Sequence, residues 1–266
     1  MTTPSVRRVA EVGGGGRLRS AGRRSVRSST RVLGRLAMII MCVAAACQPA
    51  GRTAAPEPTA VAPEPSAAAP ADHVLIEAAR RGDLGGVRSA LAAGASVSAS
   101  DSAGQTALIA AAYADQVAVA EVLIAAGADV NVKDSTQQSA YLIPTAGGGI
   151  EFLRLTLRSG ADVRSLDSYN GTGLIRAADR GHVDIVRELL RTPIAVDHVN
   201  RLGWTALLEA IILGDGGEWH TEVVRLLVGA GANVNLPDRE AVSPLTHARQ
   251  RGQREIIRIL EGAGAR

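Results

Sequence analysis

The sequence predicts an all-α solenoid of about six helix-turn-helix units joined by short connector hairpins, and three residue series predict it. Thr106, Ser139, Thr172 and Thr205 stand 33 residues apart, and Ser243 follows after 38. Gly94, Gly127 and Gly160 keep the same spacing, Pro193 takes the next place, and Gly231 and Gly264 complete the row. Asp101, Asp134, Asp167, Asn200 and Asp238 form the third series. One insertion of five residues explains the late offsets in all three. A fixed period of this length marks a stacked repeat, in which each unit buries its apolar face only against its neighbours.

Along the chain, residues 1–47 come first. They hold nine arginines and one acid, Glu11, so this segment carries +8 while the whole chain carries +3. The remaining 20 basic and 25 acidic residues leave the body at −5, a poor match for a polyanion, and nucleic acid is not an expected partner. Arg31 and Arg35 precede Leu36–Ala46, an uncharged apolar run ending in small residues before Cys47. A basic region, a short apolar run and small residues make up the pattern of an export signal. Eleven residues at about 1.5 Å each cross only about half of a bilayer core, too little for a stable transmembrane helix. The run Ala44-Ala45-Ala46-Cys47 resembles a bacterial lipobox, which implies lipidation of Cys47; Ala44 stands where Leu or Val is usual, and the run suits an ordinary signal peptidase as well.

Residues 48–70 follow as a linker. Pro49, Pro56, Pro58, Pro63, Pro65 and Pro70 lie among Ala, Glu and Thr, a composition that favours extended conformers and cannot bury a core. Residues 71–266 are the repeat domain. Of the whole chain 46% is hydrophobic but only 2% aromatic, so small aliphatic side chains must build its core. The six rings (Tyr113, Tyr141, Phe152, Tyr169, Trp204 and Trp219) supply neither an aromatic-packed sandwich nor a base-stacking platform. No cysteine follows Cys47, which leaves packing to stabilise the domain.

Within each unit the series have separate tasks. Thr or Ser at the head of the first helix caps its free N–H groups, and Pro244 suits a first turn, where a missing donor is harmless. Val183, Ile185, Val186, Leu189 and Leu190 recur at three- and four-residue spacing, which gives the second helix one apolar face. Glycine closes the second helix in left-handed geometry, so Pro193 predicts a different ending there. In the Ser139 unit, Pro144 and the Gly147-Gly148-Gly149 run predict a kinked or short first helix. In the Thr205 unit, Gly214-Asp-Gly-Gly-Glu-Trp-His-Thr221 predicts a long glycine-rich loop carrying Trp219 and His220.

Thr-Ala-Leu at 106–108 and 205–207, Ser-Pro-Leu at 243–245, Gly-His at 181–182 and Gly-Ala-Asp-Val-Asn at 127–131 give the domain a period and motifs that resemble the ankyrin repeat. The resemblance covers residues 71–266. It is also similar to a group of exported bacterial ankyrin proteins around Asn200-Arg-Leu-Gly-Trp-Thr-Ala-Leu-Leu-Glu-Ala and Gly214-Asp-Gly-Gly. It implies a non-catalytic module that binds another protein.

The residues themselves offer little chemistry. His182 belongs to the Gly-His turn, and His73 and His198 lack ligand spacing. Asp215, Glu218 and His220 lie close together, but no second cluster accompanies them, so no metal and no cofactor are expected. Nucleophile elbow, phosphate loop and His-Glu-x-x-His patterns are missing from the sequence. What remains is a binding surface. The register of Arg176 collects Glu77, Ala110, Ile143, Arg176, Glu209 and His247, a row expected to face the groove. The connector tips include Ser168, Tyr169 and Asn170, then Arg201, Leu202 and Trp204. Aromatic and Arg side chains dominate binding hot spots, so Tyr169, Arg201 and Trp204 form the preferred partner-binding cluster, joined by Arg176 and Glu209 and, from the insertion, Trp219. The alternative use of the rings is packing between connectors. The combined expectation is a monomeric protein-binding scaffold in the bacterial cell envelope, lipid-anchored through Cys47 or periplasmic. Two alternatives stand beside it: a chaperone-like accessory factor that protects or activates a periplasmic enzyme, and an intracellular ankyrin effector if the leader is not used.

Overall fold

A computed structural model describes residues 70–266; the leader, Cys47 and the linker up to residue 69 lie outside the described residues. Among the described residues twelve helices form six pairs. They are α1 (Pro70–Arg81) with α2 (Leu84–Ala92), α3 (Ala107–Tyr113) with α4 (Val117–Ala125), and α5 (Leu142–Gly147) with α6 (Ile150–Arg158). Then come α7 (Gly173–Asp179) with α8 (Val183–Leu189), α9 (Ala206–Ile212) with α10 (Glu218–Gly229), and α11 (Pro244–Gln250) with α12 (Arg254–Gly262). Each first helix packs on the first helix of the next unit, and each second helix on the next second helix. Small residues permit this close stacking: Ala110, Ala111, Ala177 and Ala178 are all buried between neighbours.

The three series do the work their chemistry suggests. Thr106, Thr172, Thr205 and Ser243 each accept a hydrogen bond from the backbone N–H three residues on, and cap α3, α7, α9 and α11. Ser139 accepts from Leu142 in the same way, at 3.2 Å. Its helix α5 nevertheless begins only at Leu142 and runs six residues. Ile143 N still donates to the Ser139 carbonyl, but Pro144 has no N–H for the next carbonyl, and the first turn is lost from the helix. Glycines 94, 127, 160, 231 and 264 take left-handed φ after their helices. Pro193, with its φ fixed, cannot; there α8 stops at Leu189, and Thr192 donates its hydroxyl to the Leu189 carbonyl at 2.6 Å.

The third series builds the connectors. Asp101, Asp134, Asp167, Asn200 and Asp238 each accept two backbone N–H bonds through Oδ1, from residues two and four positions on. This side-chain turn fixes every connector in one shape.

The insertion differs from the expected loop. Only Leu213–Gly217 lies outside the helices, and α10, at twelve residues, begins early enough to include Trp219 and His220 in its first turn. His220 is the counterpart of His182 once the five extra residues are counted. His182 Nε2 meets the Ala146 carbonyl at 3.0 Å, and His220 Nε2 meets the Asp179 carbonyl at 3.0 Å, each tying its unit to the turn of the previous one. With α10 already begun at Glu218 and His220 anchored, no long free loop remains in the insertion.

Candidate interaction surface

The tips of the Thr172 and Thr205 connectors are held together at two points. Arg201 N donates to the Tyr169 carbonyl at 2.8 Å, and His198 Nε2 meets the Asn170 carbonyl at 2.7 Å. Side chains at the joined tips point away from the core: Tyr169 is 62% exposed, Leu202 44%, and Arg201 is exposed as well. Val199 adds a further exposed apolar side chain at the base of the same connector. Trp204 is only half-buried and sits at the root, where its backbone N–H donates to Asn200 Oδ1. Of the sequence-expected cluster, Tyr169 and Arg201 therefore meet on the surface and Trp204 lies lower. Leu202 takes the outward place. Its position among the tips is readable in the period, but a hot-spot preference for rings and guanidinium groups passes over an aliphatic residue.

The row expected to face the groove turns largely toward its own connectors, with Glu209 buried and Arg176 half-buried. Arg176 NH1 donates to Asp167 Oδ2 at 3.0 Å, and His247 Nε2 meets Asp238 Oδ2 at 2.6 Å. Asn200 Nδ2 donates to Glu209 Oε1 at 2.7 Å, and Glu209 is only 4% exposed. Ala110 and Ile143 are too short or too apolar to do the same. Their connectors are served instead from the end of the preceding first helix: Arg80 reaches Asp101 Oδ2 at 3.3 Å and Tyr113 reaches Asp134 Oδ2 at 3.0 Å. Each side chain turns toward a connector because that connector presents an acceptor, or in one unit a donor, within reach.

The electrostatics follow these pairings. Against the cost of burial, hydrogen bonds from Thr136, Gln138 and Tyr113 hold the Asp134 carboxyl below its ordinary range. Asp238 is likewise lowered by the Val242 amide and His247, against burial. Glu209 goes the other way: burial, with repulsion from Asp179 and Asp167, pushes it up to about 7 against the Asn200 hydrogen bond.

Trp219 stands at the opposite end of the helix pairs, beside the Gly181 turn, and is 67% exposed. A groove of about 1090 Å³ runs alongside it, lined in part by Arg180, His182, Arg187, Glu222 and Arg225. Arg187 and Arg225 are already paired, to Asp184 and Glu222 and to Glu222 and Glu255. Asp215 accepts from Gly217 N and pairs with His220 Nδ1, so the acid and imidazole that invited a cation order the insertion instead. Among the described residues no helix is long and apolar enough to cross a membrane.

Comparison with known proteins bears on this architecture. Residues 65–134 and 142–238 match a family described as ankyrin repeats (3 copies), more than half of the chain. The ankyrin repeat protein YahD of Escherichia coli (strain K12) is 46% identical over 69 residues, 26% of this chain and 34% of YahD, so the match spans about a third of that relative. A solved ankyrin repeat domain from Acinetobacter baumannii AYE, ABAYE2397, is 49% identical with a TM-score of 0.70, over 72% of this chain and 98% of that one. The solved ankyrin repeat protein EF0377 is 33% identical with a TM-score of 0.69, over 73% and 98%.

Proposed function

Because the chain belongs to the ankyrin repeat family, a family of protein-interaction scaffolds, we propose that it captures another protein through the joined tips of the Thr172 and Thr205 connectors and does so in the bacterial cell envelope. The observation that carries the reading is the exposure of Tyr169, Arg201 and Leu202 on two connectors locked by backbone and imidazole hydrogen bonds. Exposed apolar side chains and a guanidinium on braced connectors have the composition of a binding hot spot and lose little entropy on association. Export rests on residues 1–47, with Cys47 as the lipidation point and residues 48–70 as the spacer that would hold the array off the membrane. The elaboration of the fold here serves binding; the polar groups that might have done chemistry are committed to connectors and turns.

The test is crosslinking and affinity capture from the envelope fraction with tagged full-length chain, comparing wild type with Tyr169→Ala/Leu202→Ala. One protein enriched by the wild type and lost with the folded double variant supports the reading. Equal capture by both would remove the tip surface, and recovery of the tag only from the cytosol would remove the envelope. A captured enzyme whose activity changes on binding would turn the scaffold into an accessory factor.

A further inference from the structure

The five connectors share one turn, but one of them is wired in reverse. In four, the connector carries an aspartate whose Oδ2 is met by Arg80, Tyr113, Arg176 or His247 from a first helix. In the Thr205 unit the connector carries the amide, Asn200, and the helix carries the acid, Glu209. Both are almost wholly buried, at 5% and 4% exposure. Asn200 spends Oδ1 on the N–H groups of Leu202 and Trp204, at 2.9 and 3.0 Å, and Nδ2 on Glu209. A single amide thus links the Glu209 carboxyl to the tip that presents Leu202, and the Arg201 amide carries the link to Tyr169.

The charges around Glu209 do not answer it. Helix α9 packs on α7, α10 and α11. From α7, Arg176 is committed to Asp167, and Asp179 is an acid whose ion pair is with its exposed neighbour Arg180. From α10, His220 is bound to the Asp179 carbonyl and to Asp215, and from α11, His247 is bound to Asp238. The charged groups that act on the Glu209 carboxyl are Asp179 and Asp167, both repelling a negative charge. An ionised carboxylate there is a buried anion with one neutral donor and no cation, a state that is relieved when the side chain swings toward water. Doing so breaks the 2.7 Å bond to Asn200.

We propose that Asn200 and Glu209 form a pH-operated latch on the connector tip: with Glu209 protonated the connector is held closed and the Tyr169–Leu202 surface is presented, and loss of the proton to solvent releases the connector of the Thr205 unit. Its meaning for binding rests on the tip surface being the contact face; the latch itself does not. Burial, ahead of repulsion from Asp179 and Asp167, brings the transition up to about 7, within reach of ordinary environments.

Amide hydrogen exchange on the full chain between pH 5.5 and 8.5, expressed as protection factors, tests the latch. Leu202 and Trp204, which donate to Asn200, should lose about tenfold in protection relative to Tyr169 and Gly171, which donate to Asp167 in the neighbouring connector. In Glu209→Gln the ratio should stay flat. Should that variant fail to fold, Asn200→Asp/Glu209→Arg transplants the wiring of the Thr172 unit and should also be flat. A pH-independent ratio in the wild type, or the same fall in the variants, overturns the proposal. Capture that survives Tyr169→Ala/Leu202→Ala would remove the binding reading and leave the exchange result standing.

Discussion

Tyr141 and Gly173 are a matched pair across two units, and separating them should cost more than either residue does alone. Tyr141 occupies the place that Leu108, Leu174, Leu207 and Leu245 fill elsewhere, and Gly173 the place of Ala107, Ala140, Ala206 and Pro244. Tyr141 is fully buried, and a β-carbon added at Gly173 would lie 2.7 Å from its hydroxyl oxygen and 2.9 Å from the Thr145 methyl. The glycine is there because the ring already fills the methyl's volume. Gly173→Ala gains a few tenths of a kcal/mol of helix preference but forces two buried neighbours apart, a net loss of about 1–2 kcal/mol. Tyr141→Leu empties part of the core, for about 1–3 kcal/mol. In the double variant the methyl enters the vacated space, so the combined loss should fall short of the sum by about 1 kcal/mol or more. Urea titrations of the four proteins read this directly, with equal m-values required, since repeat arrays can unfold in parts. A neutral or stabilising Gly173→Ala, or strict additivity, would refute the argument.

Two further outcomes follow from single residues. For Glu209 the folded-state value of about 7 exceeds the reference 4.5, so its contribution is whole below 4.5 and is lost as pH rises through about 7. Relative to Glu209→Gln, the wild type should lose about 2–3 kcal/mol between pH 5 and 8, and denaturation midpoints that run parallel for the two proteins would sink the claim. Ala241 holds φ +60 at the connector position where Gly104 and Gly203 stand, so Ala241→Gly should relieve left-handed strain and stabilise by about 0.5–1 kcal/mol after the entropy of glycine is subtracted; an unchanged or lower Tm would count against it.

The array was legible because its signals are local. Capping hydroxyls, closing glycines and connector aspartates act within five residues of themselves, so their spacing transmits the period without knowledge of packing. For the same reason Pro144 and Pro193 announce their own effects: each removes a donor or fixes a φ at a known place in the helix. Contacts between units left a fainter trace. The match of Tyr141 to Gly173 is visible only when two positions are compared across 32 residues, and the kinship of His220 with His182 only when the insertion is placed before His220. Reading that segment as a loop overlooked an imidazole that reaches the Asp179 carbonyl, and four residues of helix, Glu218 to Thr221, were missed with it.

The site was legible in part, for a related reason. The period identifies which residues share a row but not whether a side chain in that row turns outward or back to its own connector. Arg176, Glu209 and His247 turn back because Asp167, Asn200 and Asp238 leave one polar atom unspent after fixing the turn. An Asp or Asn series on the connectors and a polar partner series nine residues later are both in the sequence, and together they would have turned these side chains toward their connectors. The same comparison isolates the one pair whose polarity is exchanged. In a repeat the ordinary arrangement is written out several times, so a departure can be measured against its own neighbours. The Asp167–Arg176 pair brings opposite charges together, whereas an amide facing a carboxyl buries a charge alone or a proton with it. The exchanged placement, amide on the connector and carboxyl on the helix, distinguishes the Thr205 connector from the other four.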